Sequence, residues 1–436
     1  MNPELVGAAG IGVMLVLMFL DVPVWISMAS VGFVGFGIIH GFHNALNLVE
    51  LLPDATIGDY MISTLVLFLL MGEFADISGL MEDAYRAANI WLGNLPGGLA
   101  MASIVGAGAF SAISGSSMAC AALMGRVALP QLLNHKYDEK LATGALCAGG
   151  TLGNLIPPGV LIIFYCIMTS TSIGSLFAAC IIPGIVLTLM YCIQIYIQCK
   201  RNPVLGPRAG GTTWRQKLLS MKYGAALTIV FGLVMGGIWF GTFTPSEAAA
   251  VGTVFVLIYA VIRRSVKRQN LVRAFTNTLG TTGMCFAILI GVKFFNSFIV
   301  VSGLNEALAT WVTGLNVAPI IVVIVIMIVY SVLGTAMDTL SMLFLTVPIF
   351  TPMLLALKVD LIWFGVLVII QMEFANITPP VGINLFVIGG MAKPAGISMG
   401  TVFRGVLPFC LTMVVFIVLV VAFPQIAMWL PNLIKR

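Results

Sequence analysis

Two stretches of this chain set an amide and a proline pair inside otherwise apolar sequence: Thr151-Leu-Gly-Asn-Leu-Ile-Pro-Pro-Gly159 and Glu373-Phe-Ala-Asn-Ile-Thr-Pro-Pro-Val381. Each proline removes a backbone donor and pushes the residue before it away from helical geometry, so 149–159 and 376–382 are predicted to be unwound. In hydrocarbon, unwound backbone survives only inside protein or around a cavity. There its carbonyls can coordinate a dehydrated Na⁺ while half-helix N-termini face an anion. Two polar turns, Ser114-Gly-Ser-Ser117 and Gly334-Thr-Ala-Met-Asp338-Thr339, offer hydroxyls and free amides for the same chemistry. A lone proline needs no more than a packing kink to explain it. Two breaks, each paired with a polar turn, point to a binding site. Asp338 reads either as neutral and bonded within its turn or as a charged ligand of an ion, and an ionisable group at membrane depth defaults to function. Lys293 reads either as a side chain snorkelling to the interface or as a partner of Glu373 or of a substrate carboxylate. Arg126 is close enough to a span end to reach water.

The two sets are copies of one pattern. Asn154, Pro157 and Pro158 return as Asn376, Pro379 and Pro380, displaced by 222 positions, and the same offset carries Pro23 onto Pro245 and Pro130 onto Pro352. It also sets Ser116 and Ser117 opposite Asp338 and Thr339. An offset of 224 carries Ser78, Gly79, Leu80 and Glu82 onto Ser302, Gly303, Leu304 and Glu306. One register kept over four elements is a duplication. A scaffold could also arise by duplication, but a scaffold leaves the repeated polar breaks unexplained.

The elements that must carry these motifs are membrane helices. Of the 436 residues 60% are hydrophobic and 8% charged, which leaves no polar skin for a soluble core. A bilayer core needs about 20 apolar helical residues per crossing. The fold class expected is an all-α polytopic membrane protein. Its first repeat occupies 1–200, with spans at 4–20, 23–39 and 61–79, a re-entrant hairpin at 97–130, a broken helix at 141–170 and a span at 174–199. A linker follows at 201–222. The second repeat, 223–436, has spans at 223–243, 246–262 and 277–301, a hairpin at 319–352, a broken helix at 361–391 and a span at 402–424. Lys200, Arg201, Arg208, Arg215, Lys217 and Lys222 crowd one connection and Arg263, Arg264, Lys267, Arg268 and Arg273 another, which places both in the cytoplasm. The polar segment 39–60, lacking Lys and Arg, is expected as an external loop. Both termini then lie outside, and an odd number of crossings per half inverts the second copy.

Other readings find little support. No cleavable leader is expected, since Asn2 and Glu4 precede the first apolar stretch and span follows span. The eight Cys, without a C-x-x-C pair, read as small buried hydrophobes, and the three His lack a carboxylate or Cys partner at ligand spacing. H-E-x-x-H does not occur, and the one G-x-S-x-G match, Gly396-Ile-Ser-Met-Gly400, lacks the strand-to-helix context that motif needs, so no enzyme is expected, and the net charge of +5 is loop Lys and Arg with no sign of nucleic acid. Residues 82–86 and 263–273 read as amphipathic arms on the interface. Trp25, Trp91, Trp239, Trp311, Trp363 and Trp429 read as interface anchors.

Over nearly its whole length the chain resembles the large membrane subunit of tripartite ATP-independent periplasmic (TRAP) transporters. The resemblance rests on Ser114-Gly-Ser-Ser117, Ala148-Gly-Gly-Thr-Leu-Gly153 with Ile156-Pro-Pro158, Gly241-Thr-Phe-Thr-Pro-Ser-Glu-Ala-Ala-Ala250 and Thr378-Pro-Pro-Val-Gly-Ile-Asn-Leu-Phe386. It implies an elevator-type secondary transporter of the bacterial inner membrane, driven by Na⁺. The implied cargo is a C4-dicarboxylate, sialic acid or another carboxylate handed over by a periplasmic binding protein, with a small four-helix membrane subunit as partner. If the family's two sodium sites carry over, the first falls on Ser114, Ser116 and Ser117 with Gly153, Asn154 and Pro157. The second falls on Thr335, Asp338 and Thr339 with Thr378, Pro379 and Gly382. Substrate is expected between the hairpin tips, near Ser116, Asn154, Thr339, Asn376 and Asn384, with Lys293. The family pattern has apolar residues where Asn154 and Asn376 stand, and two such amides suit a larger, hydroxyl- or amide-bearing substrate. The alternative on residues alone is a sodium-coupled di- or tricarboxylate symporter that works without a binding protein.

Overall fold

In the computed structural model residues 2–208, 210–335 and 337–434 are described, and every regular element among them is a helix. Ala336 of the second polar turn, Ala209 of the linker and the extreme ends Met1, Lys435 and Arg436 lie outside them. Eight helical runs are long and apolar enough to cross a bilayer, and the halves of the hairpins and breaks supply shorter ones.

The first repeat runs Pro3–Phe19, Val24–His40, Phe42–Ile57, Tyr60–Ser78 and the arm Leu80–Leu92, then the hairpin Gly98–Ser114 and Ser117–Asn134. Its broken helix is Glu139–Gly150 with Leu152–Leu155, then Val160–Thr169, and Ile173–Arg201 completes it. The second runs Trp214–Trp239, Pro245–Ile262, Arg268–Val301 and the arm Leu304–Gly314, then the hairpin Pro319–Leu333 and Thr339–Ala356. The broken helix Leu361–Ile377 and Ile383–Ala392 follows, then Met399–Ala422 and a terminal helix Gln425–Ile434. The start signals repeat along with the helices. Asp138 accepts from the Leu141 amide at 3.0 Å and its counterpart Asp360 from the Ile362 amide at 2.7 Å, each satisfying an orphan donor of the first turn.

The copies are related by a two-fold arrangement that shows in their packing. Val24–His40 lies along Arg268–Val301, and its counterpart Pro245–Ile262 lies along Tyr60–Ser78. Small residues permit the approach: a Cβ on Gly32 would sit 2.5 Å from the Phe294 carbonyl carbon. Near the axis a residue meets its own repeat equivalent, as the Tyr191 hydroxyl donates to the Met413 sulfur at 3.2 Å. On the outer face, Asp83 in the first arm is buried, pairs with Arg263 at 3.2 Å and accepts from the Tyr259 hydroxyl at 2.9 Å.

Four expectations change. Segment 39–60 is not a loop but contains the helix Phe42–Ile57, whose exposed Phe42, Leu46 and Val49 recur at helical spacing while His43, Asn47, Glu50 and Asp54 point elsewhere. Its equivalent in the second half is the front of Arg268–Val301, so the later part of the predicted arm 263–273, from Arg268, joins the span 277–301 in one helix. Helix Trp214–Trp239 begins within the stretch read as linker, started by a capping box of Thr213 and Gln216. Trp363 is a packing residue and not an interface anchor: it is buried and its indole N–H donates to the Val420 carbonyl at 3.3 Å.

Candidate functional site

The first tip and the first break close on each other. Ser116 caps Ser117–Asn134, and the tip turns through Gly115 in the left-handed region, φ 61°. The Gly115 carbonyl accepts from the Val160 amide at 3.2 Å, pinning the tip to the half-helix beyond the break. Gly153 faces the tip so closely that a Cβ there would lie 2.4 Å from Ser117 Cα. Pro157, Pro158 and Gly159 are therefore buried. Ser114 is buried too, its hydroxyl without a partner, and its carbonyl lies against scaffold Gly72, where a Cβ would be 2.7 Å away.

The second tip and break are built alike but more open, touching where Gly334 packs so closely on Ala375 that a Cβ there would lie 2.6 Å from the Ala375 Cβ. Asp338 caps Thr339–Ala356 by accepting from the Ser341 amide at 3.1 Å and from the Ser341 hydroxyl. The Thr335 and Thr378 hydroxyls donate to the carbonyls of Val332 and Phe374, each at 2.7 Å. The Gly382 amide bonds back to Thr378 at 3.1 Å, where its counterpart region in the first repeat reaches the tip. Asp338, Pro380 and Val381 are exposed, Pro379 and Thr339 half-buried. Met337, Asp338 and Ser341 face Asp21, Val22 and Pro23 of the scaffold across a cavity of about 390 Å³.

The two repeats meet at a carboxylate. Glu373 is fully buried. Its Oε1 accepts from the Ser117 hydroxyl at 2.6 Å and from the Asn154 amide at 2.9 Å, and its Oε2 from the Asn376 amide at 3.2 Å. The Asn154 amide also donates to Ser117 Oγ at 2.8 Å. From sequence Glu373 is expected only as a partner of Lys293. The signal that finds it is register, since it stands where the first repeat has Thr151, three residues before the repeated Asn.

The structure thus gathers Ser117, Asn154 and Asn376, and sets Ser114, Ser116, Gly153 and Pro157 beside them. Asn384 is buried against the first broken helix, its amide donating to the Cys147 carbonyl at 3.5 Å and its Oδ1 unpartnered. Arg126 is exposed. Lys293 lies elsewhere: its ammonium donates to the Ala55 carbonyl at 3.2 Å, at the C-terminal end of Phe42–Ile57, where the helix dipole favours a cation. Lys293→Met is accordingly expected to leave substrate uptake within about two-fold of the parent, as for substitutions away from a site. A large rise in KM would return Lys293 to the substrate.

Inverted repeats whose helix breaks meet a hairpin tip at one polar junction define a multi-pass secondary transporter. The model for the DctM component of the tripartite ATP-independent periplasmic transporters matches residues 11–426, and the chain belongs to that family. It is 31% identical over 405 residues to the C4-dicarboxylate TRAP transporter large permease protein DctM of Pseudomonas aeruginosa, which spans 90% of this chain and 93% of that one. To the sialic acid TRAP transporter large permease protein SiaM of Vibrio cholerae it is 29% identical over 379 residues, 86% and 87% of the two chains. Among solved structures it is similar in fold to the YdaH transporter of Alcanivorax borkumensis. That match has a TM-score of 0.65 at 14% identity over 89% of this chain and 90% of that one, and at such identity it bears on the fold alone. A family of transporter permeases makes the chain a transport subunit and not an enzyme.

Proposed function

We propose that this chain takes up an organic carboxylate, of the C4-dicarboxylate or sialic acid kind, from a periplasmic binding protein, working in the inner membrane with a small four-helix subunit and driven by Na⁺. The observation that carries the reading is the convergence of the first tip and both breaks on one junction rich in side-chain oxygens. Hard monovalent and divalent cations take such donors, and the buried, unpartnered Ser114 hydroxyl fits that use. Ser114, Ser116, Ser117, Gly153, Asn154 and Pro157 would hold one ion, and Thr335, Asp338, Thr339, Thr378, Pro379 and Gly382 a second. Na⁺ supplies the downhill gradient. Helix N-termini at Ser117, Val160, Thr339 and Ile383 border the space between the tips and favour an anion there.

In this reading the hairpins and broken helices slide as a block along the scaffold helices. Gly72 supports it, because a track without a side chain lets the first tip pass closely. So does the second tip's position beside the turn 20–23, which the Lys and Arg distribution assigns to the cytoplasmic end. The arrangement is then an inward-facing one.

The test is uptake of labelled C4-dicarboxylates and sialic acid into proteoliposomes holding this chain and the small subunit, with and without binding protein and an inward Na⁺ gradient. Uptake that needs both is expected. Uptake by this chain alone, indifferent to a binding protein, would make it a stand-alone symporter.

A further inference from the structure

We propose that Glu373 is the positioning residue of the first ion site: it holds the amide nitrogens of Asn154 and Asn376, turns their carbonyl oxygens toward the space between the tips, and gives that site its negative charge. The inference rests on the sodium reading above and assigns to it a residue outside both predicted ligand sets.

An asparagine amide has a donor end and an acceptor end, and an ionised carboxylate accepts only. Facing Glu373, both amides can approach only through Nδ2, as they do at 2.9 and 3.2 Å. No described residue donates to Oδ1 of Asn154 or Asn376, so both acceptors are left for a cation or a substrate hydroxyl. Ser117 is oriented by the same contact, because its proton goes to Glu373 and one lone pair accepts from the Asn154 amide, which leaves one lone pair for an ion.

Charge adds a second argument. Two amides and a hydroxyl fill three of the roughly four acceptor sites of Glu373 but do not offset its charge, and the ion pair among the described residues is Arg263 with Asp83. A buried charge without a counter-ion is costly, and a cation at the adjoining oxygens offsets that cost. The repeat makes this one-sided. Thr151, the equivalent of Glu373, is neutral and bonds to the Ala148 carbonyl at 2.7 Å and the Tyr191 hydroxyl at 3.3 Å. The carboxylate therefore reaches the first hairpin through Ser117, while the second tip has its own acid, Asp338.

The test needs no transport. The purified complex is heated in detergent over a Na⁺ series balanced with choline, and the midpoint of Na⁺-dependent stabilisation is read. Glu373→Gln keeps size but loses charge and lets the amides turn, and it is expected to move that midpoint up by about 10-fold or more, the range for residues that orient metal ligands. Unfolding without Na⁺ should be unchanged or later. Glu373→Asp, which keeps the charge on a shorter arm, should fall between, and serves as the deciding variant should Gln not fold. Lys293→Met should keep the parent midpoint. An unshifted midpoint in the folded variant overturns the inference and leaves the sodium reading standing. A parent protein with no Na⁺ response overturns both.

Discussion

Gly153→Ala is expected to lose Na⁺-driven uptake by about 100-fold, the effect of roughly 1 Å of misplacement in a positioned site, in protein that still inserts and purifies. The new methyl would lie 2.4 Å from Ser117 Cα, 2.5 Å from its nitrogen and 2.7 Å from the Ser116 carbonyl carbon. All three neighbours are backbone, so no rotamer change relieves the clash and the tip must retreat from the break. Ser117 would then leave Glu373 and Asn154, and the Gly115 to Val160 bond would stretch. Gly232→Ala, where a Cβ meets nothing, is the control and should transport normally. Uptake by Gly153→Ala within a few-fold of the parent would mean that the tip and break need not touch for transport.

The second large effect separates a cap from a ligand. Asp338 caps its helix through Ser341 and also faces the cavity beside Asp21. Asparagine caps a helix as well as aspartate, whereas alanine costs about 1 kcal/mol. Asp338→Asn should therefore unfold where the parent does in Na⁺-free buffer yet lose Na⁺-driven uptake by about 10-fold or more, as for loss of a metal-orienting group. Asp338→Ala should lose both. Parent-like uptake by the Asn variant would leave Asp338 as a cap alone.

Most of the architecture was legible because duplication wrote it twice. The recurring Pro-Pro pairs placed the breaks, and the polar turns placed the tips, Ser114–Ser117 among them. Helix ends were less clear, since Phe42–Ile57 carries enough polar residues and an internal Pro53 to pass for a loop. Its periodicity was the better guide. The site was half legible. Ser117, Asn154 and Asn376 were found by type and register, but Glu373, the group that joins them, was masked by looking for its partner among cations. Lys293 drew attention as the odd charge in a span, and three-dimensional packing sends it to the end of a neighbouring helix. The contacts of Glu373 with Ser117 and Asn154, and of Lys293 with Ala55, are all distant in sequence, and register alone marks the position of Glu373 without naming those partners.

The inequality between the two junctions reaches further. One repeat holds its tip locked onto its break, with Pro157 to Gly159 covered, and the other leaves Pro380 and Val381 bare while Gly334 still packs on Ala375. If the halves exchange shapes, as the proposed sliding motion requires, each displays the shape the other would take. Trading the two shapes between the halves would produce a mirror form of the molecule, with the door on the opposite face of the bilayer. Under the proposed motion, a single conformation would carry the blueprint of its own reverse.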